Sequence, residues 1–432
     1  MLRDELFEEF CAIPVIDVHS HIRRDRLAAR DLGPLLFYHM ITYSLRSAGL
    51  PEEKLWPDGA MHGRGRPYED FFASWPAVEG TGFGWVLRTI LRDLYEFDEP
   101  LTADSLPRLQ AAFDAKASRP TWPAEVLAKG RVVRLLSSAA DVAPLAPGQV
   151  DGGVRFTAEI APTVGTHEGH AWRDRLAALS KRSGRDVTTL AQWRETVAAF
   201  YDRIPWPERH ALVMWVSSQA DFRPVSDAAV DSLIADALAG KDLDLAAVRN
   251  LEGAFLRAVC QAVRGRTRVL QLCYGVQFLP PRTKVPHPVG RASPEFASSL
   301  GHLAGEFPDI HFNILNGHEP DEPVWCAMTQ AYANVSLGGF WWQTFYPSVM
   351  HQALHRRLDM VPRSRLMAFF SDGYCVDWVY GRLRTVQRVL AGVCAERIDR
   401  GFLTRREAVA TAREILFETP RRIFLPDETI EA

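Results

Sequence analysis

The chain has no apolar run of the roughly 18 residues that a membrane-spanning helix needs, which argues against an integral helical membrane protein. It has no charge excess either: 50 lysines and arginines against 53 aspartates and glutamates leave a formal net charge of -3. So balanced a surface makes no field to gather nucleic acid or an anionic membrane, and small-molecule chemistry is the default. Six cysteines, at positions 11, 260, 273, 326, 375 and 394, form no C-x-x-C pair and read as dispersed, reduced thiols. No fixed-period repeat and no low-complexity tract interrupts the sequence. The opening Met-Leu-Arg-Asp-Glu-Leu-Phe-Glu-Glu-Phe is acidic and amphipathic, without the basic start of a secretory signal. The expectation is a cytoplasmic protein with a small-molecule substrate and no nucleic-acid or membrane partner, with homo-oligomerisation left open.

What the chain does have is an apolar run that stops at two histidines. In Pro-Val-Ile-Asp-Val-His-Ser-His, residues 14–21, Val15, Ile16 and Val18 are typical of a buried strand. A strand alternates its side chains with period two, so His19 and His21 point to one face, as two imidazoles sharing a metal must. They sit at the strand's carboxyl end, where parallel α/β folds collect their ligands.

Seven further apolar or β-branched runs follow, at 132–138, 154–160, 211–217, 268–275, 311–315, 333–337 and 366–371. Helical patterns such as 227–238, 251–264 and 294–307 lie between them. Eight alternating units predict a closed (β/α)8 TIM barrel, with a doubly wound open sheet as the alternative. At 432 residues and 47% hydrophobic content the chain suits one elaborated barrel or two domains, and with the eight alternating units a single domain over 1–432 is the expectation. The first crossover, 33–128, is too long for a simple barrel. Its amphipathic stretches at 35–48 and 85–95 and its Gly/Arg/Pro-rich connection at 62–67 predict a helical insertion over the barrel mouth, either a lid or packing decoration.

The last strand ends in Phe369-Phe370-Ser371-Asp372-Gly373, which delivers a carboxylate beside the first strand of a closed barrel. Two histidines and Asp372 make an open three-ligand site for one divalent ion; the competing use of Ser371-Asp372 is as a helix N-cap. His318 follows the sixth strand and is a candidate further ligand, a proton shuttle, or a solvated loop residue. Cys273 ends the fifth strand, either as a zinc ligand or as a small buried side chain. His167 and His170 read as loop residues.

Asp17-Val18-His19-Ser20-His21 with the lone Asp372 resembles the amidohydrolase superfamily of metal-dependent barrels. The Tyr38-His39 pair and the Gly338-Gly339-Phe340-Trp341-Trp342 run after strand seven are similar to its uronate isomerase branch. The resemblance implies that His19, His21 and Asp372 hold one divalent metal, zinc in the first instance, and that Tyr38 or His39 reaches the substrate from the inserted helix. In that branch a proton moves between adjacent carbons of an open-chain sugar acid through an enediol, with Asp372, Tyr38 and His39 as the candidate acid and base. Trp341, Trp342, Arg282 and His318 are the candidate substrate contacts. Two positions depart from the branch. Gly373 and Tyr374 follow Asp372 where the branch has Ser-Arg, which removes a bidentate grip on the substrate carboxylate. Cys273 stands where the branch tends to place a strand-five histidine. Arg282, Lys284 and Arg23 are the nearby basic residues able to replace the missing charge. Three functions therefore stand: isomerase of a small sugar acid, hydrolase of an ester, lactone or amide using metal-bound hydroxide, and a non-catalytic barrel with a binding role.

Overall fold

A computed structural model describes residues 1–55, 68–138, 154–159, 172–204, 206, 209–216, 220–278, 288–290 and 294–430. Arg282, Lys284, His167, His170 and the 62–67 connection lie outside the described residues.

Among the described residues seven parallel strands form one sheet: β1 (Val15–Ser20), β2 (Val132–Ser137), β3 (Val154–Glu159), β4 (Arg209–Trp215), β5 (Val269–Tyr274), β8 (His311–Asn316) and β9 (Val335–Leu337), paired in that order. Helices cover the sheet between strands, so β1, β5 and β9 are buried along their whole length, as the unbroken apolar runs require. A short antiparallel hairpin, β6 (Val276–Phe278) with β7 (Pro288–Gly290), extends the loop after β5; its alternation is too brief to register in the sequence.

The eighth unit closes the barrel without a regular ladder, unlike the strand expected at 366–371. Leu366 makes a single parallel bridge to Leu337, and the Met367 amide donates to the Leu337 carbonyl at 2.9 Å. The following donors are diverted: Ala368 to Ile415 at 3.0 Å, and Ser371 to the Asp17 carboxylate at 2.9 Å. Only beyond them does pairing with β1 resume, with Asp372 N–H on His19 O at 3.0 Å and His21 N–H on Gly373 O at 2.8 Å. The buried Asp17 carboxylate competes for the amides that a ladder would use. The result is the predicted barrel, sealed on one side partly by a side chain.

Between β1 and β2 the described residues carry a series of helices joined by loops, including His39–Ser47 and Gly82–Tyr95. The single helix suggested by 35–48 is broken, with a short turn at Gly33–Leu36 and Tyr38 in an extended conformation (φ -56°, ψ 140°). That break turns two consecutive side chains, Tyr38 and His39, towards the carboxyl ends of the strands. Helix Gly82–Tyr95 starts where predicted to within three residues, capped by Thr81, whose hydroxyl accepts from the Gly84 amide at 3.1 Å. Among the described residues no helix is long and apolar enough to cross a membrane. All six cysteines carry free thiols.

Candidate metal centre

His19 and His21 leave the end of β1 on one face, and the barrel closure brings Asp372 to them. Nε2 of His21 lies 3.1 Å and Nε2 of His19 3.6 Å from Oδ1 of Asp372. His39 approaches the other carboxylate oxygen, its Nε2 3.7 Å from Oδ2. One potential ligand atom from each of His19, His21 and Asp372 lies within 4.8 Å of the others. Cys273 and His318 fall outside this group: His318 has Nδ1 3.4 Å from Asp321 Oδ2, and Asp321 in turn accepts from the Tyr274 hydroxyl at 2.7 Å.

The rings are aimed by residues behind them. Nδ1 of His19 lies 2.7 Å from Gln271 Oε1, and the Gln271 amide nitrogen donates to Val18 O at 3.2 Å and to Asn313 Oδ1 at 3.0 Å. With its nitrogen committed to two acceptors, Gln271 offers only an oxygen, so Nδ1 of His19 carries the proton and Nε2 presents its lone pair inward. Asn313 continues the chain to Ser336 Oγ at 2.9 Å, and His311 Nε2 meets the same hydroxyl at 2.8 Å. Nδ1 of His21 lies 2.9 Å from Ser138 Oγ, and its ring stacks on Tyr374 at 4.8 Å. This is the outer-shell arrangement that fixes a metal-binding imidazole. Gln271→Leu is expected to lower metal affinity about 10- to 100-fold without unfolding the barrel, measured by competition against a chromophoric chelator. Unchanged affinity would remove Gln271 from this role.

The charge states suit a cation. Burial lowers His19 and His39 to about 4, so both imidazoles are neutral near pH 7. Burial by itself would raise Asp372, but the hydrogen bond from His21 and the neighbouring histidines hold its carboxyl well below the usual carboxylate range. A neutral imidazole nitrogen, which His19 supplies, and an ionised carboxylate oxygen are donors that a borderline divalent ion prefers. Asp372 also takes φ +53°, a left-handed conformation uncommon outside glycine. It is held there from both sides, since its amide donates to His19 O and its carbonyl accepts from Tyr38 Oη at 3.1 Å. A strained backbone fixed this firmly is typical of a working site.

Tyr38 therefore addresses the Asp372 backbone. Its ring stacks on Trp378 at 4.0 Å, and burial pushes its phenol well above the ordinary value, so it stays protonated. Trp342 lies against His39 at 5.2 Å and also has positive φ, +46°, whereas Trp341 turns edge-on to Trp215 at 5.0 Å. The two tryptophans are thus neighbours in sequence with different surroundings. Glycine is required just before them because a Cβ on Gly339 would lie 2.8 Å from the Phe370 backbone nitrogen. Arg23 is partly buried and forms a two-point contact with Asp25 at 2.9 and 3.1 Å.

Three positions were missed in the sequence. Gln271 and Asn313 interrupt the apolar strands β5 and β8, and a polar residue inside a buried run must find a partner; that signal was available. Arg382 gave no such signal, because arginine recurs along the helix Val376–Asp399. It is buried, stands over the Phe345 ring at 3.0 Å, and its charge acts on Tyr38, Asp372 and Asp17. Asp17 itself is lifted by burial and pulled back by Ser371, the His19 amide and Arg382, which leaves it at about 7.

No protein-family model matches the chain. A uronate isomerase of Thermotoga neapolitana is 20% identical over 448 residues, which span 97% of this chain and 96% of that protein. Among solved structures, a uronate isomerase from Thermotoga maritima superposes with a TM-score of 0.82 at 16% identity, covering 98% of this chain and 97% of that one. A glucuronate isomerase from Caulobacter crescentus gives 0.80 at 14% identity, covering 100% and 95%. The chain is thus similar to these proteins over its whole length, and at this identity the likeness establishes the barrel fold they share.

Proposed function

We propose that this protein is a metal-dependent isomerase of a small uronate-like sugar acid, converting an aldose form to the ketose form. The observation that carries the reading is the convergence of His19, His21 and Asp372 at 3.1 to 3.6 Å, with His39 on the second oxygen of the same carboxylate. The end-to-end likeness to uronate isomerases supports it. His19, His21 and Asp372 would hold one divalent ion, zinc by the donor set; when bound, such an ion polarises a carbonyl and stabilises a developing oxyanion.

The isomerisation removes a proton from the carbon beside the carbonyl and returns one to the former carbonyl carbon, while the carbonyl oxygen gains a proton and the neighbouring hydroxyl gives one up, through an enediol and with no change in mass. His39 is suited to carry that proton: it is buried, neutral near pH 7 and 3.7 Å from Asp372 Oδ2. Asp372 is the alternative base, being ionised in the same place. Tyr38, kept protonated by burial, is a donor and positions Asp372 through its carbonyl. Trp342 shields the His39 side of the site from water. Arg382 balances the negative charge of Asp17 and Asp372. Trp341, His318 and Arg282 remain candidate substrate contacts, on the sequence reading.

The test is direct. Incubated with an aldo-uronate and a divalent metal, the protein is expected to yield the keto-uronate at unchanged mass, with loss of activity on chelation. In deuterated water the product should gain deuterium at the carbon that receives the proton. Cleavage of an ester, lactone or amide, with no interconversion of uronates, would replace this reading with the hydrolase. Absence of both, in a protein that binds no metal, would leave only a binding role.

A further inference from the structure

A second group of ligand-type side chains lies on the outer helices, away from the barrel mouth. His351 and His355 are four residues apart on the helix Pro347–Met360, so they share one face. Glu396 faces them from the neighbouring helix Val376–Asp399. His351 Nε2 is 2.8 Å from Glu396 Oε1, and His355 Nε2 is 3.1 Å from Oε2. The two imidazole centroids are 4.9 Å apart, and one ligand-type atom from each residue lies within 4.8 Å of the others.

Surface histidines at this spacing ordinarily turn to solvent. Here both direct Nε2 inward, to separate oxygens of one carboxylate on a different helix. The three side chains are 37%, 22% and 42% exposed, so a metal can enter and water can complete its coordination. Glu396 stands 20 residues after Val376, which is about 30 Å along the helix axis at 1.5 Å per residue. The group is therefore separate from the centre formed by Asp372, which precedes that helix.

We infer that His351, His355 and Glu396 form a second divalent-metal site, which takes Zn2+ and staples the helix after β9 to the helix after the barrel-closing segment. Two imidazole nitrogens and a carboxylate oxygen match zinc, and the ion would displace the hydrogen-bonded protons from Nε2. The neighbouring Arg397 is occupied by Asp359 at 2.8 Å and the His355 carbonyl at 3.5 Å, so its charge is partly balanced outside the group. The staple would join the two units that carry Trp342 and Asp372.

The test uses the full chain stripped of metal and titrated with Zn2+ against a competing chromophoric chelator. His355→Ala and, separately, Glu396→Gln are each expected to bind one equivalent fewer than the parent. Each should keep parental activity after reconstitution. Cobalt substitution gives a second readout: the parent-minus-variant visible spectrum should show the d–d bands of one low-symmetry Co2+. The difference of one equivalent does not depend on what the barrel mouth binds, so it stands or falls separately from the catalytic reading. Equal Zn2+ stoichiometry in the parent and both variants would overturn the inference.

Discussion

Asp372→Asn is expected to abolish isomerase activity to within a thousandth of the parental kcat/KM or less, and to release most of the bound metal. The substitution keeps the shape of the side chain, and asparagine tolerates the left-handed backbone at φ +53°. What it removes is the negative charge that His19, His21 and His39 surround at 3.6, 3.1 and 3.7 Å. A thousandfold loss corresponds to about 4 kcal/mol at 1.36 kcal/mol per tenfold, reasonable for a group asked both to hold the ion and to serve the proton transfer. Metal content per chain by plasma mass spectrometry and turnover of an aldo-uronate would be measured together, with circular dichroism as the control for folding. Tyr38→Phe is the graded companion: it deletes the phenol's hydrogen bonds to the Asp372 carbonyl and with Arg382 and leaves the three ligands in place, so metal should remain while kcat falls more modestly. A folded Asp372→Asn protein with full metal and near-parental turnover would take Asp372 out of the site.

Arg357→Met is expected to cost about 3–5 kcal/mol of stability, the largest structural effect of a single change proposed for this chain. Arg357 and Glu322 are 1% and 0% exposed and form an ion pair through Nε of the arginine. Among the described residues Glu322 otherwise accepts only from the Asn316 amide at 2.9 Å, so removing the guanidinium strands a buried carboxylate. The arginine also donates to Gly338 O at 2.7 Å and stands over the Phe340 ring at 4.5 Å. It therefore anchors the glycine-rich run that leads to Trp342, and loss of activity should accompany loss of stability. Chemical denaturation of the single variants and of Arg357→Met/Glu322→Leu would separate the causes. The double variant should recover part of the loss, because it removes the stranded charge. A shift of less than about 1 kcal/mol in Arg357→Met would mean that Glu322 finds water or another donor.

The parts of the fold that could be read in the sequence were those with a local period. Helix Asp227–Leu238 matches its pattern residue for residue, and β1 begins within a residue of the expected apolar run. The apolar composition of 366–371 predicts a regular eighth strand; nothing local reveals that Asp17, some 350 residues earlier, takes the Ser371 amide. The helix break at Tyr38 was likewise hidden, since Leu35, Leu36, Phe37 and Tyr38 continue an apolar pattern through it. In the site, His19, His21 and Asp372 were visible as ligand types at strand ends, whereas Arg382 looked like any other arginine of a long helix.

By itself the sequence determined the alternation of strands and helices, the shared face of His19 and His21, and the delivery of Asp372 to the end of the last barrel segment. Those are consequences of a period of two in strands and 3.6 in helices, which neighbouring residues set among themselves. Only the tertiary structure decided which atoms meet: Gln271 on His19, Ser138 on His21, His39 on Asp372, and His351 with His355 on Glu396. Periodicity assigns a side chain to a face. Its partner depends on strand register, barrel closure and helix packing, which are settled by the whole chain at once.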